Sequence, residues 1–73
     1  MASFLGVRFV GDNVRRIRLA KGLTQDELAE RSGFSQQYIM GLEQRRRNPT
    51  TVAIYELEMV LGVSHMELVK PSA

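Results

Sequence analysis

Cysteine and tryptophan are both missing from this chain of 73 residues, and histidine occurs once, as His65. Without cysteine the chain can form no disulfide bond and no thiolate metal site. No nucleophile or group of metal-ligating residues accompanies His65, and the sequence holds no glycine-rich phosphate loop. We therefore expect a protein that is not an enzyme and that needs no metal ion or cofactor.

A long apolar run is missing as well. The most apolar opening stretch, residues 4–10, is too short and too interrupted to cross a membrane. It also lacks the basic start and long apolar core of a secretory signal. We expect a cytoplasmic chain without membrane contact. Its hydrophobic fraction of 44% is that of a folded globular protein, and its length allows one domain over residues 1–73.

The basic residues are concentrated in two segments, although the net charge is only +2. One segment lies in residues 15–21, and the other is the run Arg45, Arg46 and Arg47. The acidic residues are spread through the helices predicted between them. Clustered arginine and lysine suit nucleic-acid phosphates, whereas a charge run taken alone is more often a solvated face.

Residues 23–49 organise the chain, because residues 24–44 within them hold two short helical patterns separated by a glycine-containing turn. Thr24 and Glu27 form a capping box that predicts the start of the first, and Leu23 and Leu28 are placed to form a hydrophobic staple. Gly33 is placed to end this helix in the left-handed conformation. Two helices joined by so short a turn are typical of a helix-turn-helix.

The second helical pattern begins after Ser35, which predicts another N-cap, with Phe34 packing near Ile39. Ile39 and Leu42, three positions apart, are expected to face the core. The opposite face is then left to Gln36, Gln37 and Met40.

Three further helices are expected around this pair. The first begins somewhere between Ser3 and Val10 and ends at Gly22. Its neighbours Phe4, Leu5 and Phe9 either cover one end of the core or extend a dimer contact.

The chain after Pro49 predicts the last two helices. Thr50 is a fair N-cap for a helix over residues 51–61, with Gly62 ending it. Ser64 and Glu67 predict a second capping box, so a short fifth helix should reach about residue 69, followed by a frayed tail over 70–73. The helix over 51–61 is expected to face inward with Ile54, Leu57, Val60 and Leu61. The fold class is all-α, a compact five-helix bundle with no strand.

The pattern GLTQxELAxxSGxSxxYIxxLExxxRNP over residues 22–49, followed by LGVS at 61–64, resembles the XRE/Cro-C1 family of helix-turn-helix transcriptional regulators. The resemblance covers residues 10–68 and implies a lambda-repressor-like DNA-binding domain. In size and layout the chain is also similar to the short restriction–modification controller proteins.

This resemblance implies that Gln36 and Gln37 read bases at the start of a recognition helix. A glutamine amide matches adenine N6 and N7 in the major groove, although both side chains are alternatively solvated helix-face residues. Met40 shares the face and either touches a thymine methyl group or fills a gap. Gly41 stands where the family often has a longer polar side chain. This indicates either a close backbone approach to DNA or reduced readout at that step.

The resemblance also implies contacts to the DNA backbone from helix N-termini and from the loop after the recognition helix. In related repressors the glutamine matching Gln25 bonds a phosphate and braces the first glutamine of that helix. For Tyr38, packing at the core edge is the alternative to a phosphate contact. Arg45 stands where the family usually has a left-handed glycine, so either it is strained or the loop differs. The expected backbone contacts are Thr24, Gln25, Ser35, Tyr38, Arg46, Arg47 and Asn48.

Two acidic residues have other implied roles. Glu43 is expected to form an ion pair with Arg18 that links the first helix to the end of the recognition helix. Glu58 stands where the family usually has a small apolar residue facing the core. Because a buried lone carboxylate is unfavourable, Glu58 should find a donor, lie at an edge or enter a dimer contact.

The function that follows is a sequence-specific regulator, a repressor by preference, that binds double-stranded DNA as a homodimer. Two-fold symmetry requires an inverted-repeat operator with half-sites about 34 Å apart. The family's usual dimer contact implies an interface at Met59, Val63 and Met66, with the N-terminal apolar residues. No small-molecule effector is evident. The alternative is a protein-interaction module, such as an antitoxin or a partner-dependent co-regulator, with only auxiliary DNA binding.

Overall fold

The computed structural model describes residues 7–71, which form helices and no strands. The all-helical prediction is therefore confirmed. None of the helices in this part of the chain is long and apolar enough to cross a membrane. The helices are α1 (Val10–Ala20), α2 (Gln25–Ser32), α3 (Gln36–Glu43), α4 (Thr51–Leu61) and α5 (His65–Val69).

Helix α1 begins at the late end of the range predicted for it. Val10, Val14 and Ile17 are buried along one face, as their helical spacing predicts. Gly11 lies inside this helix. A Cβ atom at Gly11 would lie only 1.8 Å from the carbonyl oxygen of Leu42, so glycine lets α1 cross closely over α3. Ser3, Phe4 and Leu5 lie outside the described residues.

The caps of α2 and α3 form as their sequences predict. The Thr24 hydroxyl accepts from the Glu27 N–H at 3.0 Å, and the Glu27 carboxylate accepts from the Thr24 N–H at 2.8 Å. Gly33 ends α2 with a φ of 82°. The Ser35 hydroxyl accepts from the Tyr38 N–H at 3.0 Å. These local bonds fix where both helices of the helix-turn-helix begin.

Helices α4 and α5 confirm one predicted cap and contradict another. The Thr50 hydroxyl accepts from the Ala53 N–H at 3.0 Å, and Gly62 ends α4 with a φ of 68°. The capping box predicted from Ser64 and Glu67 is wrong, because the Ser64 side chain makes no cap hydrogen bond. The carboxylate of Glu67 instead lies 3.3 Å from Lys70 Nζ and 3.8 Å from Arg16 Nη2.

The core is built from all five helices. Asn13 is fully buried within it and donates from Nδ2 to the carbonyl oxygens of Leu68 at 2.7 Å and Lys70 at 2.8 Å. This amide ties the end of α5 to α1. The buried apolar side chains of the core include Leu28, Ile39, Leu42, Ile54, Leu57, Leu61 and Leu68. Val60, predicted to face inward, is partly buried against them.

Candidate nucleic-acid interface

Helix α3 divides cleanly between core and solvent. Ile39 and Leu42 are buried, whereas Gln36 and Gln37 are exposed and Met40 is half-buried. The side chains predicted to read bases therefore lie away from the core, at the start of α3. Their base contacts stay a prediction.

A buried ion pair joins α1 to the end of α3. Arg18 donates from Nε to Glu43 Oε2 at 2.8 Å and from Nη2 to Glu43 Oε1 at 3.0 Å. Its Nη1 donates to the Leu23 carbonyl oxygen at 2.8 Å. The two side chains are only 9% and 2% exposed. The hydrogen bond to Glu43 raises the pKa of Arg18 above its ordinary value. This is the ion pair that the resemblance implies, and Nε, Nη1 and Nη2 of Arg18 each donate a hydrogen bond.

The ion pair continues to the surface of α3 through Gln25. Gln25 Nε2 donates to Glu43 Oε1 at 3.1 Å, and Gln25 Oε1 accepts from Gln36 Nε2 at 3.2 Å. Because an ionised carboxylate only accepts hydrogen bonds, Glu43 fixes which end of the Gln25 amide faces it. The other end then faces Gln36. The bracing of Gln36 by Gln25 is therefore present without DNA.

The loop after α3 carries the second basic cluster. Arg45 has a φ of 61°, so the left-handed conformation of the family is kept although the residue is arginine. Its guanidinium forms an ion pair with Asp12 of α1, and this hydrogen bond raises the pKa of Arg45. Arg46, Arg47 and Asn48 are exposed. In this loop, Arg45 is therefore paired with α1, whereas Arg46 and Arg47 face solvent.

Tyr38 packs at the edge of the core. It is half-buried, and its ring centroid lies 4.9 Å from that of Phe34. Of the two alternatives for this residue, core-edge packing is what the structure contains. A phosphate contact from its hydroxyl stays a prediction, as do those from Thr24 and Ser35, whose hydroxyl oxygens accept the cap bonds.

Comparison with known proteins identifies this arrangement. The helix-turn-helix family HTH_3 matches residues 14–68, most of the chain. The chain belongs to the XRE-type helix-turn-helix family. It is a DNA-binding transcriptional regulator and not an enzyme.

Particular members of the family are similar over most of their length. An HTH-type transcriptional regulator of Sinorhizobium fredii, y4dJ, is 58% identical over 65 residues, which cover 89% of this chain and 84% of the relative. The restriction-modification controller protein C.AhdI of Aeromonas hydrophila superposes with a TM-score of 0.79 at 37% identity, covering 85% of this chain and 94% of its own. The hypothetical transcription factor NHTF of Neisseria superposes with a TM-score of 0.83 at 30% identity, covering 97% of this chain and 80% of its own.

Four exposed apolar side chains, three on α4 and one on α5, define an apolar strip on this XRE-type regulator. Its members on α4 recur at helical spacing. Val63, expected beside it, is half-buried against the core. The apolar strip consists of Val52 (69% exposed), Tyr55 (57%), Met59 (65%) and Met66 (65%).

The acidic residue beside the strip has a partner. Glu58 Oε2 lies 2.6 Å from Nδ1 of His65, and the Glu58 side chain is 17% exposed. Of the outcomes expected for Glu58, a hydrogen-bonding partner is the one observed. Among residues 7–71, no group of three or more acidic or histidine side chains is placed to hold a metal ion.

Several contacts of the site were not anticipated from the sequence. They include the Asp12–Arg45 ion pair, the buried amide of Asn13 and the extension of the apolar strip to Val52 and Tyr55. Asp12 and Arg45 are 33 positions apart. Of these features, only the apolar strip could have been found from the sequence, because Val52, Tyr55 and Met59 recur at helical spacing.

Proposed function

We propose that this protein is a sequence-specific repressor that binds an inverted-repeat operator as a homodimer and reads it with the start of α3. The observation that carries the proposal is the chain of hydrogen bonds from buried Arg18 through Glu43 and Gln25 to exposed Gln36. A polar side chain that is held in one orientation on a rigid helix loses little freedom on meeting a base.

Gln36 and Gln37 have different parts in this reading. Gln36 has one N–H committed to Gln25, so its carbonyl oxygen and its other N–H remain for DNA. Gln37 has no such brace and offers both ends of its amide, which matches the paired donor and acceptor of adenine in the major groove. Met40 lies one turn along the same face, where a thymine methyl group would contact its apolar side chain.

The backbone contacts proposed around this helix form two sides of a clamp. On one side, free N–H groups at the start of α2 and α3 favour an anion. On the other, the loop after α3 supplies solvent-facing guanidinium groups. These contacts fix the register of α3 in the groove and carry no sequence information. The residues proposed for them are Thr24, Gln25, Ser35, Tyr38, Arg46, Arg47 and Asn48.

The apolar strip supports the proposed homodimer. Exposed apolar side chains that recur along one face are what a protein–protein contact requires. One recognition helix covers only a few base pairs, so a second copy related by two-fold symmetry doubles the sequence that is read. The proposed contact includes Met59, Val63 and Met66 and extends to Tyr55. Repression then follows from occupying a promoter.

Selection of bound duplexes from a random DNA pool, at near-physiological salt, tests the proposal. We expect an enriched inverted repeat with adenines in each half-site. Half-sites separated by about 34 Å, one helical turn, are expected for a two-fold dimer. If the folded protein enriches no motif, sequence-specific repression is wrong, and a role in binding another protein takes its place.

A further inference from the structure

Gly41 lies in the middle of α3, and a neighbouring arginine occupies the space beside it. A Cβ atom added at Gly41 would lie 3.0 Å from Cδ of Arg47 and 3.2 Å from its Cγ and Nε. Gly41 is accordingly buried, although it follows the outward-facing Met40. The side chain of Arg47 therefore rests on the surface of α3 where any other residue at position 41 would place its own.

Tyr38 supports the far end of the same arginine. Cζ of Arg47 lies 5.8 Å from the centroid of the Tyr38 ring, within the range of a cation–π contact. Tyr38 is itself held by Phe34 and the core. Among residues 7–71 Arg47 forms no ion pair, in contrast to Arg45, which is paired with Asp12. The Arg47 guanidinium is thus positioned but not neutralised.

Arg47 shares a recess with the residues proposed to read bases. The recess is open to solvent and is lined by Gln37, Met40, Gly41, Gln44, Arg46 and Arg47. Positions 37, 40, 41 and 44 follow one another at helical spacing on one side of α3. The arginine that starts from the loop therefore reaches the helix face that carries Gln37 and Met40.

We propose that Gly41 and Arg47 act as one unit. In place of a phosphate contact, Arg47 reads a guanine in the major groove from the position beside α3 that Gly41 leaves open. The proposal rests on the proposed DNA-reading function. The planar fork of a guanidinium matches O6 and N7 of guanine, and this is the commonest specific contact in the major groove. The base step left without a reader by glycine is then read from the loop, and Arg47 sets specificity in addition to adding positive charge.

The test compares Arg47→Ala with Arg46→Ala, a control that removes the same charge from the same loop. Affinities are measured for the selected operator and for duplexes that change one base pair at a time. For Arg47→Ala we expect the preference for one G·C pair in each half-site to fall roughly 5- to 150-fold. Arg46→Ala should weaken all duplexes alike and lower the salt slope by about one.

Gly41→Ala provides a second test that is independent of the charge. Alanine favours the helix over glycine, so the thermal stability of the variant should rise. Its Cβ displaces the stem of Arg47, so the preference for the same G·C pair should fall. A variant that is more stable but less selective at this position is the expected result.

Three outcomes separate this inference from the function on which it rests. If Arg47→Ala weakens every duplex equally, Arg47 is a phosphate contact and the inference is wrong, while the proposed function stands. The inference is equally wrong if Gly41→Ala keeps the full preference for guanine. If the wild-type protein selects no motif at all, the proposed function itself fails.

Discussion

Removing Glu43 by substitution with alanine should destabilise the fold far more than a surface change. Arg18 would keep only its bond to the Leu23 carbonyl and lose both acceptors of Nε and Nη2. The side chains of this pair are 9% and 2% exposed, so water reaches the abandoned guanidinium poorly. Removing one partner of a buried ion pair costs about 3–5 kcal/mol.

That cost is large for a chain of this length. At about 0.05–0.15 kcal/mol per residue, 73 residues give a free energy of unfolding of roughly 4–11 kcal/mol. Each kcal/mol moves the Tm of a domain of this size by about 4–8 °C, so Glu43→Ala should lower it by at least ~12 °C. Circular dichroism during heating and during urea titration, at one fixed protein concentration, measures both quantities.

A double variant, Arg18→Met with Glu43→Leu, is the matched control. It removes both charges and fills their space with apolar side chains, which is often neutral or stabilising. We expect it to recover most of the stability that Glu43→Ala loses. A loss of less than about 1 kcal/mol in Glu43→Ala would refute the reasoning, because it lies below the cost of even one unpaired buried polar group. The reasoning would also be refuted if the double variant lost as much free energy of unfolding as its two single variants lose in sum.

Two further predictions concern the dimer and the α2 cap. Met59→Glu places a charge within the apolar strip and should shift the protein toward monomer in sedimentation equilibrium. The control is Leu19→Glu, at an exposed apolar residue of α1 (53% exposed), which should leave the dimer intact. If Met59→Glu does not weaken the dimer, the apolar strip is not the interface. The hydrogen bonds from Thr24 lower the pKa of Glu27 below its ordinary value of 4.5. Glu27 therefore contributes stability above that value and loses it as the pH falls through its lower folded pKa. When the free energy of unfolding is measured as the pH is lowered, that of Glu27→Gln should fall less steeply than that of the wild type. Parallel curves would contradict the stabilising role assigned to the Glu27 carboxylate.

The parts of the fold that were predictable from the sequence are those whose causes are local. A capping hydroxyl and the N–H that donates to it lie three positions apart. Thr24, Ser35 and Thr50 therefore predict where α2, α3 and α4 begin. The left-handed residues Gly33 and Gly62 end helices for a reason that depends on one residue alone. The Ser64 cap was wrong because the Glu67 N–H donates to the carbonyl oxygen of Ser64, at 3.1 Å, and not to its hydroxyl. The Glu67 carboxylate meanwhile faces Lys70 and Arg16, and Arg16 is far away in the sequence.

The features that the sequence did not predict depend on contacts between distant residues. Asn13 bonds carbonyl groups 55 and 57 positions away, and no periodicity signals such an amide. Arg47 and Gly41 are close in the chain, yet their contact requires the loop to turn back on α3. That turn depends on the left-handed Arg45, which Asp12 of α1 holds. Such residues look like departures from a family pattern until the folded geometry gives them a cause.

Gln37 gives the most direct test of the claim that the start of α3 reads bases. Gln37→Ala truncates an exposed side chain, so the fold should be unaffected. The measurement is its affinity for the selected operator relative to single-base variants. We expect Gln37→Ala to lose preference at one base position by roughly 1–3 kcal/mol, while its affinity for scrambled DNA is unchanged. Unchanged preference at every position in a correctly folded Gln37→Ala would contradict that claim.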